Sequence, residues 1–147
     1  MDERTAQLVQ QQVRRSSRSL LQYVAEASPW TSQGERETMD GLRQMILEEQ
    51  DAIASLMRLL RRVRVPPPYL GPYPEHFMTY NFLSMDRLLP LLVEQEGKAV
   101  VELSGRVTQV QGSEAHDALT HLLNIKRRHL ASLEELHKKH PQVGVLV

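Results

Sequence analysis

The predicted fold is decided by residues 39–68, which read MDGLRQMILEEQDAIASLMRLLRRVRVPPP. Apolar residues recur in this stretch at three- and four-residue steps, which is the spacing of one face of an α-helix. Arginines gather toward its end, where a helix C-terminus favours cations. Three consecutive prolines, Pro66 to Pro68, then end the helix, because proline lacks the amide hydrogen that a helix interior requires. The stretch therefore predicts a long amphipathic helix.

The same periodicity continues on both sides of this stretch and predicts four helices, at about residues 3–28, 32–64, 86–111 and 113–140. A segment at 65–85, rich in proline, glycine and tyrosine, separates the second helix from the third. The other two connections are short, so each joins an antiparallel pair. Two hairpins joined by one long crossover predict a single-domain, all-α, antiparallel four-helix bundle across residues 1–147.

Capping signals support three of these helix ends. Ser32 and Glu35 have the spacing of a capping box at the start of the second helix. Gly112 suits the C-terminal cap of the third helix, and Ser113 suits the N-terminal cap of the fourth.

Composition narrows the classes of function. The chain has 147 residues, with 18 basic and 18 acidic side chains, and no cysteine. Disulfides, thiolate zinc sites and cysteine nucleophiles are excluded. A neutral chain is a poor partner for DNA, RNA or anionic membranes, and basic runs such as Arg14-Arg15 are interpreted as solvated helix faces. No apolar run approaches the roughly 20 residues of a membrane span. We therefore predict a cytoplasmic protein without membrane or nucleic-acid partners.

The predicted inner stripes are interrupted by polar residues near the middle of each helix. These residues are Glu49 in the second helix, Glu96 in the third, and Lys126 and His129 in the fourth; Ser16 or Ser17 takes this place in the first. The midpoints of similar antiparallel helices meet at one level, so we expect one interior polar cluster. Buried charges must pair with one another or bind a ligand.

In helix order and in these residues, the chain resembles the ferritin-like, rubrerythrin-like superfamily. That family carries Glu on helices one and three and Glu-x-x-His on helices two and four, and these six side chains hold two iron or manganese ions. Here Glu49 and Glu96 match, but Ala52 replaces the first histidine. Lys126 replaces the last glutamate, while His129 matches. Helix one lacks the carboxylate at the expected level, although Glu26 lies further along.

These departures predict a degenerate di-metal site in which Lys126 fills the space of the metals. The resulting hypothesis is a non-catalytic structural or binding protein with a metal-free Lys-Glu-His core, no cofactor, and a homodimer formed through helix faces. One alternative is an iron- or manganese-dependent oxidoreductase that uses Glu49, Glu96 and His129, with Glu26 as a further candidate. Another is a small-molecule binder with a pocket beside Lys126. The aromatic residues between 66 and 82 either pack along the bundle or form an interface.

Overall fold

The computed structural model describes residues 1–27, 35–81 and 83–139. These residues form five α-helices and one 3₁₀ helix, and they contain no β-strand. The all-α prediction is therefore confirmed. Within the described ranges, no helix combines the length and the apolar character needed to cross a membrane. The α-helices are α1 (Glu3–Ser17), α2 (Leu20–Ala27), α3 (Arg36–Arg62), α4 (Met85–Gln109) and α5 (Ser113–Lys139), and the 3₁₀ helix is Glu75–Tyr80.

The continuous helix predicted over residues 3–28 is divided into α1 and α2. The backbone leaves helical geometry at Arg18 (φ −115°, ψ 25°). Ser19 then caps α2, because its Oγ accepts a hydrogen bond from the amide of Gln22 at 3.2 Å. Serine favours caps over helix interiors, since its hydroxyl competes for backbone groups. The break therefore follows from the serine-rich run 16–19, whose effect the apolar periodicity does not reveal.

The end of α3 lies close to the predicted boundary at residue 64. Arg64 adopts a left-handed backbone conformation (φ 60°), and the amide of Val65 donates to the Leu60 carbonyl at 2.9 Å. This turn satisfies a carbonyl that the helix end would otherwise leave without a partner. The start of α3 was predicted at Ser32, which lies outside the described residues.

The connector between α3 and α4 contains the 3₁₀ helix. This helix was not predicted, because the segment has no sustained apolar periodicity. Phe77 is buried there and packs with Tyr23, Tyr73, His76 and Tyr80, with ring centroids 4.9 to 6.4 Å apart. This contact supports a packing role for the aromatic segment.

The connector also runs beside α1 and α2. Hydrogen bonds tie these segments together at several points along their length. They join Gln10 Nε2 to the Pro66 carbonyl at 2.8 Å, Arg18 Nε to the Gly71 carbonyl at 2.7 Å, and Tyr23 OH to Asn81 Oδ1 at 2.6 Å.

The turn between α4 and α5 contains Gly112 in a left-handed conformation (φ 91°), which glycine adopts without a steric penalty. Ser113 is already the first residue of α5, so Gly112 occupies the cap position that was predicted for Ser113.

A polar layer divides the apolar core into two clusters. α4 and α5 pack against each other, α3 packs on α5 and α1, and α2 lies against α3 and α4. On α3, α4 and α5, residues on one side of the layer belong to one cluster and residues on the other side belong to the other. The layer residues on these helices are Glu49, Glu96 and Lys126. One cluster contains Leu8, Val9, Val13, Ala52, Leu56, Leu59, Leu60, Leu103, Val110, Ala115, Leu119, Leu122, Leu123 and Ile125. The other contains Leu20, Leu21, Val24, Met39, Leu42, Met45, Ile46, Phe77, Met85, Leu88, Leu89, Leu92 and Leu133.

Candidate interior polar site

Three helices bring one ammonium group between two carboxylates. Lys126 on α5 places Nζ 2.5 Å from Glu49 Oε2 on α3 and 2.9 Å from Glu96 Oε1 on α4. The exposed fractions are 1% for Lys126, 0% for Glu49 and 3% for Glu96. An ammonium buried this deeply is costly unless opposite charges surround it. The two carboxylates supply those charges, so the three residues form one charged network.

Glu49 is the better satisfied of the two carboxylates. Its Oε1 accepts hydrogen bonds from Ser19 Oγ at 3.0 Å and from Gln22 Nε2 at 2.9 Å. Gln22 Nε2 also lies 3.2 Å from the Ile46 carbonyl, and Gln22 Oε1 accepts a hydrogen bond from Gln50 Nε2 at 3.0 Å. Glu49 therefore links α3 to α5 through Lys126 and to α2 through two neutral donors.

Ser19 and Gln22 are site residues that the sequence analysis missed. They reach Glu49 only because the chain breaks before α2 and turns both side chains inward. Ser16, which was expected near the network, is buried but accepts its hydrogen bond from Gln12 Nε2 at 2.8 Å, within α1. The serine run was the available signal for the break, and reading it as a cap would have pointed to Ser19.

Glu96 is held mainly by charge. Its Oε1 is paired with Lys126 but accepts no hydrogen bond of good geometry among the described residues. Burial raises the pKa of Glu96 above its usual value of 4.5, against the attraction of Lys126 and with the support of the nearby Glu49. Burial also disfavours the charged form of Lys126, but attraction to Glu49 and Glu96 outweighs it and raises the pKa of that ammonium. Lys126 therefore stays charged, whereas burial favours the neutral form of the Glu96 carboxyl.

His129 lies beside this network but does not bond to it. The ring is 2% exposed, and neither nitrogen has a hydrogen-bond partner in the described part of the chain. The carboxylate paired most closely with it is that of Glu48, with Nε2 3.6 Å from Oε2. Burial lowers the pKa of His129 despite the attraction of Glu48 and Glu49. The imidazole is therefore neutral near pH 7 and contributes no charge to the site.

The residues do not fit the two-metal site implied by the resemblance. The space between Glu49 and Glu96 holds the Lys126 ammonium, which would repel a divalent cation. In the described ranges, no three His, Asp or Glu side chains converge closely enough to hold a metal ion. Glu26 is exposed on α2, with Tyr73 OH 3.4 Å from its Oε1, and lies apart from the network.

Comparison with known proteins adds no relative: no protein-family model matches the chain, and no curated protein or solved structure is significantly similar to it. The resemblance to ferritin-like proteins therefore rests on helix order and on the partial motif. What the site can do is inferred from its own contacts.

These contacts determine which charged groups of the network are already engaged. The Lys126 amine is protonated and held by both carboxylates, so it is not a nucleophile. Glu49 accepts bonds from three side chains and is not a free base. The network therefore joins α3, α4 and α5 through paired charges.

The two carboxylates should respond differently to loss of charge. We expect Glu49→Gln to lower the free energy of unfolding by about 3–5 kcal/mol, because it breaks the closest buried ion pair. The new amide N–H group would also meet side chains that already donate, such as Ser19 and Gln22. Glu96→Gln copies the protonated acid and leaves a neutral Lys126–Glu49 pair, so we expect a change below about 1.5 kcal/mol at pH 7. Urea denaturation of both variants measures the difference, and equal losses would contradict this description of the network.

The same pair of variants gives a pH test. The pKa of Glu96 is raised in the folded chain, so its protonation stabilises the folded state; this contribution is complete below the usual pKa of 4.5 and is lost as pH rises through the folded pKa. Wild type should therefore gain stability relative to Glu96→Gln as the pH is lowered toward 4.5. A stability difference that stays constant with pH would contradict the raised pKa.

His129 should tolerate an apolar replacement. Since the ring has no hydrogen bond to lose, we expect His129→Leu to change the free energy of unfolding by less than about 1 kcal/mol. Leu133→Ala, one turn along α5 at a fully buried position, is the control and should cost about 2–5 kcal/mol. A comparable loss in His129→Leu would show that the imidazole makes a contact essential to the network.

Proposed function

We propose that this chain is a non-catalytic structural or binding protein of ferritin-like architecture, with a charged network where that family holds metals. The observation that carries the proposal is the position of Lys126 Nζ between Glu49 and Glu96. A cation supplied by the chain itself balances the carboxylates, so the interior needs no metal to be stable.

The distribution of core residues supports the ferritin-like connectivity. The N-terminal half of α3 and the N-terminal half of α4 contribute to the same apolar cluster, and their C-terminal halves contribute to the other. α1 followed by α2 passes through the two clusters in the opposite order, as α5 does. If α1 and α2 count as one interrupted helix, this distribution indicates that α3 and α4 run in the same direction, and that α1–α2 and α5 run in the opposite direction. The contacts of the connector with α1 and α2 support its assignment as the crossover of that topology.

The contacts of the site favour a non-catalytic role over the metal-dependent oxidoreductase. The oxidoreductase would need Glu49, Glu96 and His129 to face a common cation, but Lys126 lies between the first two and His129 faces Glu48. The binder with a pocket beside Lys126 receives less support, because Lys126 is enclosed and its ammonium is paired with both carboxylates. The homodimer and the cytoplasmic location stay predictions from sequence.

The metal content of the native protein tests the proposal. The protein should be expressed without an affinity tag that binds metal, purified without chelator, and measured by elemental analysis. We expect iron, manganese and zinc far below one equivalent per chain. Adding about 1 mM of each metal should not shift the thermal midpoint, because a metal raises it only if the folded protein binds that metal. Stoichiometric iron or manganese would overturn the proposal in favour of the oxidoreductase.

A further inference from the structure

A groove on the surface gathers four arginines although the chain as a whole is electrically neutral. The groove has a volume of about 530 Å³ and lies between α1, the connector and α4. Its basic residues are Arg14, Arg15, Arg18 and Arg106, and no carboxylate lines it. The volume is that of a site for a small molecule, within the usual range of about 300–1,000 Å³. The positive charge is therefore concentrated in a surface groove whose size suits a small-molecule ligand.

Most of this charge is not neutralised by the protein. Arg15 is paired with Glu102, with Nε 2.8 Å from Oε2. In the part of the chain that the structure describes, Arg14, Arg18 and Arg106 have no ion pair with a carboxylate. Burial lowers the pKa of Arg106. Attraction to Glu102 opposes this shift, and repulsion from the neighbouring Arg15 adds to it. The groove therefore holds more positive charge than its surroundings compensate.

Neutral contacts hold two of these guanidinium groups in place. Arg18 Nε donates to the Gly71 carbonyl at 2.7 Å, and its Cζ lies 4.7 Å from the centroid of the Tyr73 ring. Arg106 Nη1 donates to Gln12 Oε1 at 2.8 Å. These bonds orient the side chains without cancelling their charge, so less side-chain entropy is lost when an anion binds.

Helix dipoles favour arginines at these positions, but they do not explain why the ends of two helices present them to one groove. Arg14 and Arg15 lie in the last turn of α1, where cations are favourable. Arg18 is the C-terminal cap of that helix. Arg106 lies in the last turn of α4 and reaches the groove from another side of the fold. Leu70 and Phe77 from the connector supply an apolar wall beside the arginines. A planar guanidinium donates paired hydrogen bonds that match the geometry of phosphate oxygens.

We propose that this groove binds a phosphorylated small molecule whose phosphate contacts Arg14, Arg18 and Arg106 and whose organic part lies against Leu70 and Phe77. The ligand class is a phosphate ester of nucleotide size. The positive charge gathers in one pocket rather than in an extended stripe, which favours a small molecule over a nucleic-acid strand. The proposal rests on the arginines of the groove and not on the interior network, none of whose three charged residues lines the groove.

Calorimetric titration of the intact chain with ATP, inorganic pyrophosphate and adenosine tests this site. We expect ATP to bind, pyrophosphate to bind more weakly, and adenosine not to bind at about 1 mM, the weak end of specific affinities. Pyrophosphate binding as tight as that of ATP would contradict the role of the apolar wall. Absence of binding by both phosphates, or tighter binding of a single-stranded oligonucleotide than of ATP, would overturn the proposal.

Matched charge variants locate the site. Arg14→Gln and Arg106→Gln should each raise the Kd of ATP by at least about tenfold, as expected for loss of a charge-assisted hydrogen bond. Arg58→Gln removes the same charge from exposed surface on α3, away from the groove, and should leave the Kd within about twofold. Arg14 donates none of the hydrogen bonds recorded within the described residues, so its variant keeps the test valid if Arg106→Gln proves unstable. Equal weakening by Arg58→Gln would show that ATP responds only to net charge.

Discussion

The structure depends on one ammonium group that is almost completely removed from water. Lys126 lies between Glu49 and Glu96 in the layer that separates the two apolar clusters, and it joins α5 to α3 and α4. A buried ion pair adds little net stability compared with an apolar core, but it penalises every packing arrangement that leaves one of its charges alone. Helix shifts that would preserve apolar contacts would separate these charges. The network therefore specifies how the helices align more strongly than leucine packing alone does.

Part of this arrangement was predictable because a polar residue on an apolar stripe is visible in the sequence. Glu49, Glu96 and Lys126 each interrupt such a stripe near the middle of its helix, and the structure places all three together. Ser19 and Gln22 were not predictable in the same way, since their positions depend on a break in the helix that one serine cap creates. His129 was expected in the network but faces Glu48, because helix rotation decides which neighbouring carboxylate a ring meets.

The connector shows a similar limit. Its prolines indicate where α3 ends, but its path depends on contacts distant in sequence, such as Arg18 with Gly71 and Phe77 with Tyr23. These same contacts form one wall of the arginine groove, which combines residues from α1, the connector and α4. Net charge did not indicate the groove, because the chain has as many acidic as basic residues. Local charge could be assessed only after the fold had brought distant residues together.

The free energy of unfolding of Lys126→Met, measured across pH, tests the central claim most directly. This variant keeps the length of the side chain and removes the only charge that balances Glu49 and Glu96 within their network. If the network holds the helices together, the variant loses about 3–5 kcal/mol at pH 7. The loss should shrink as the pH falls, because protonation neutralises the two orphaned carboxylates. A loss below about 0.5 kcal/mol, or one that does not change with pH, would contradict a structural role for the buried network.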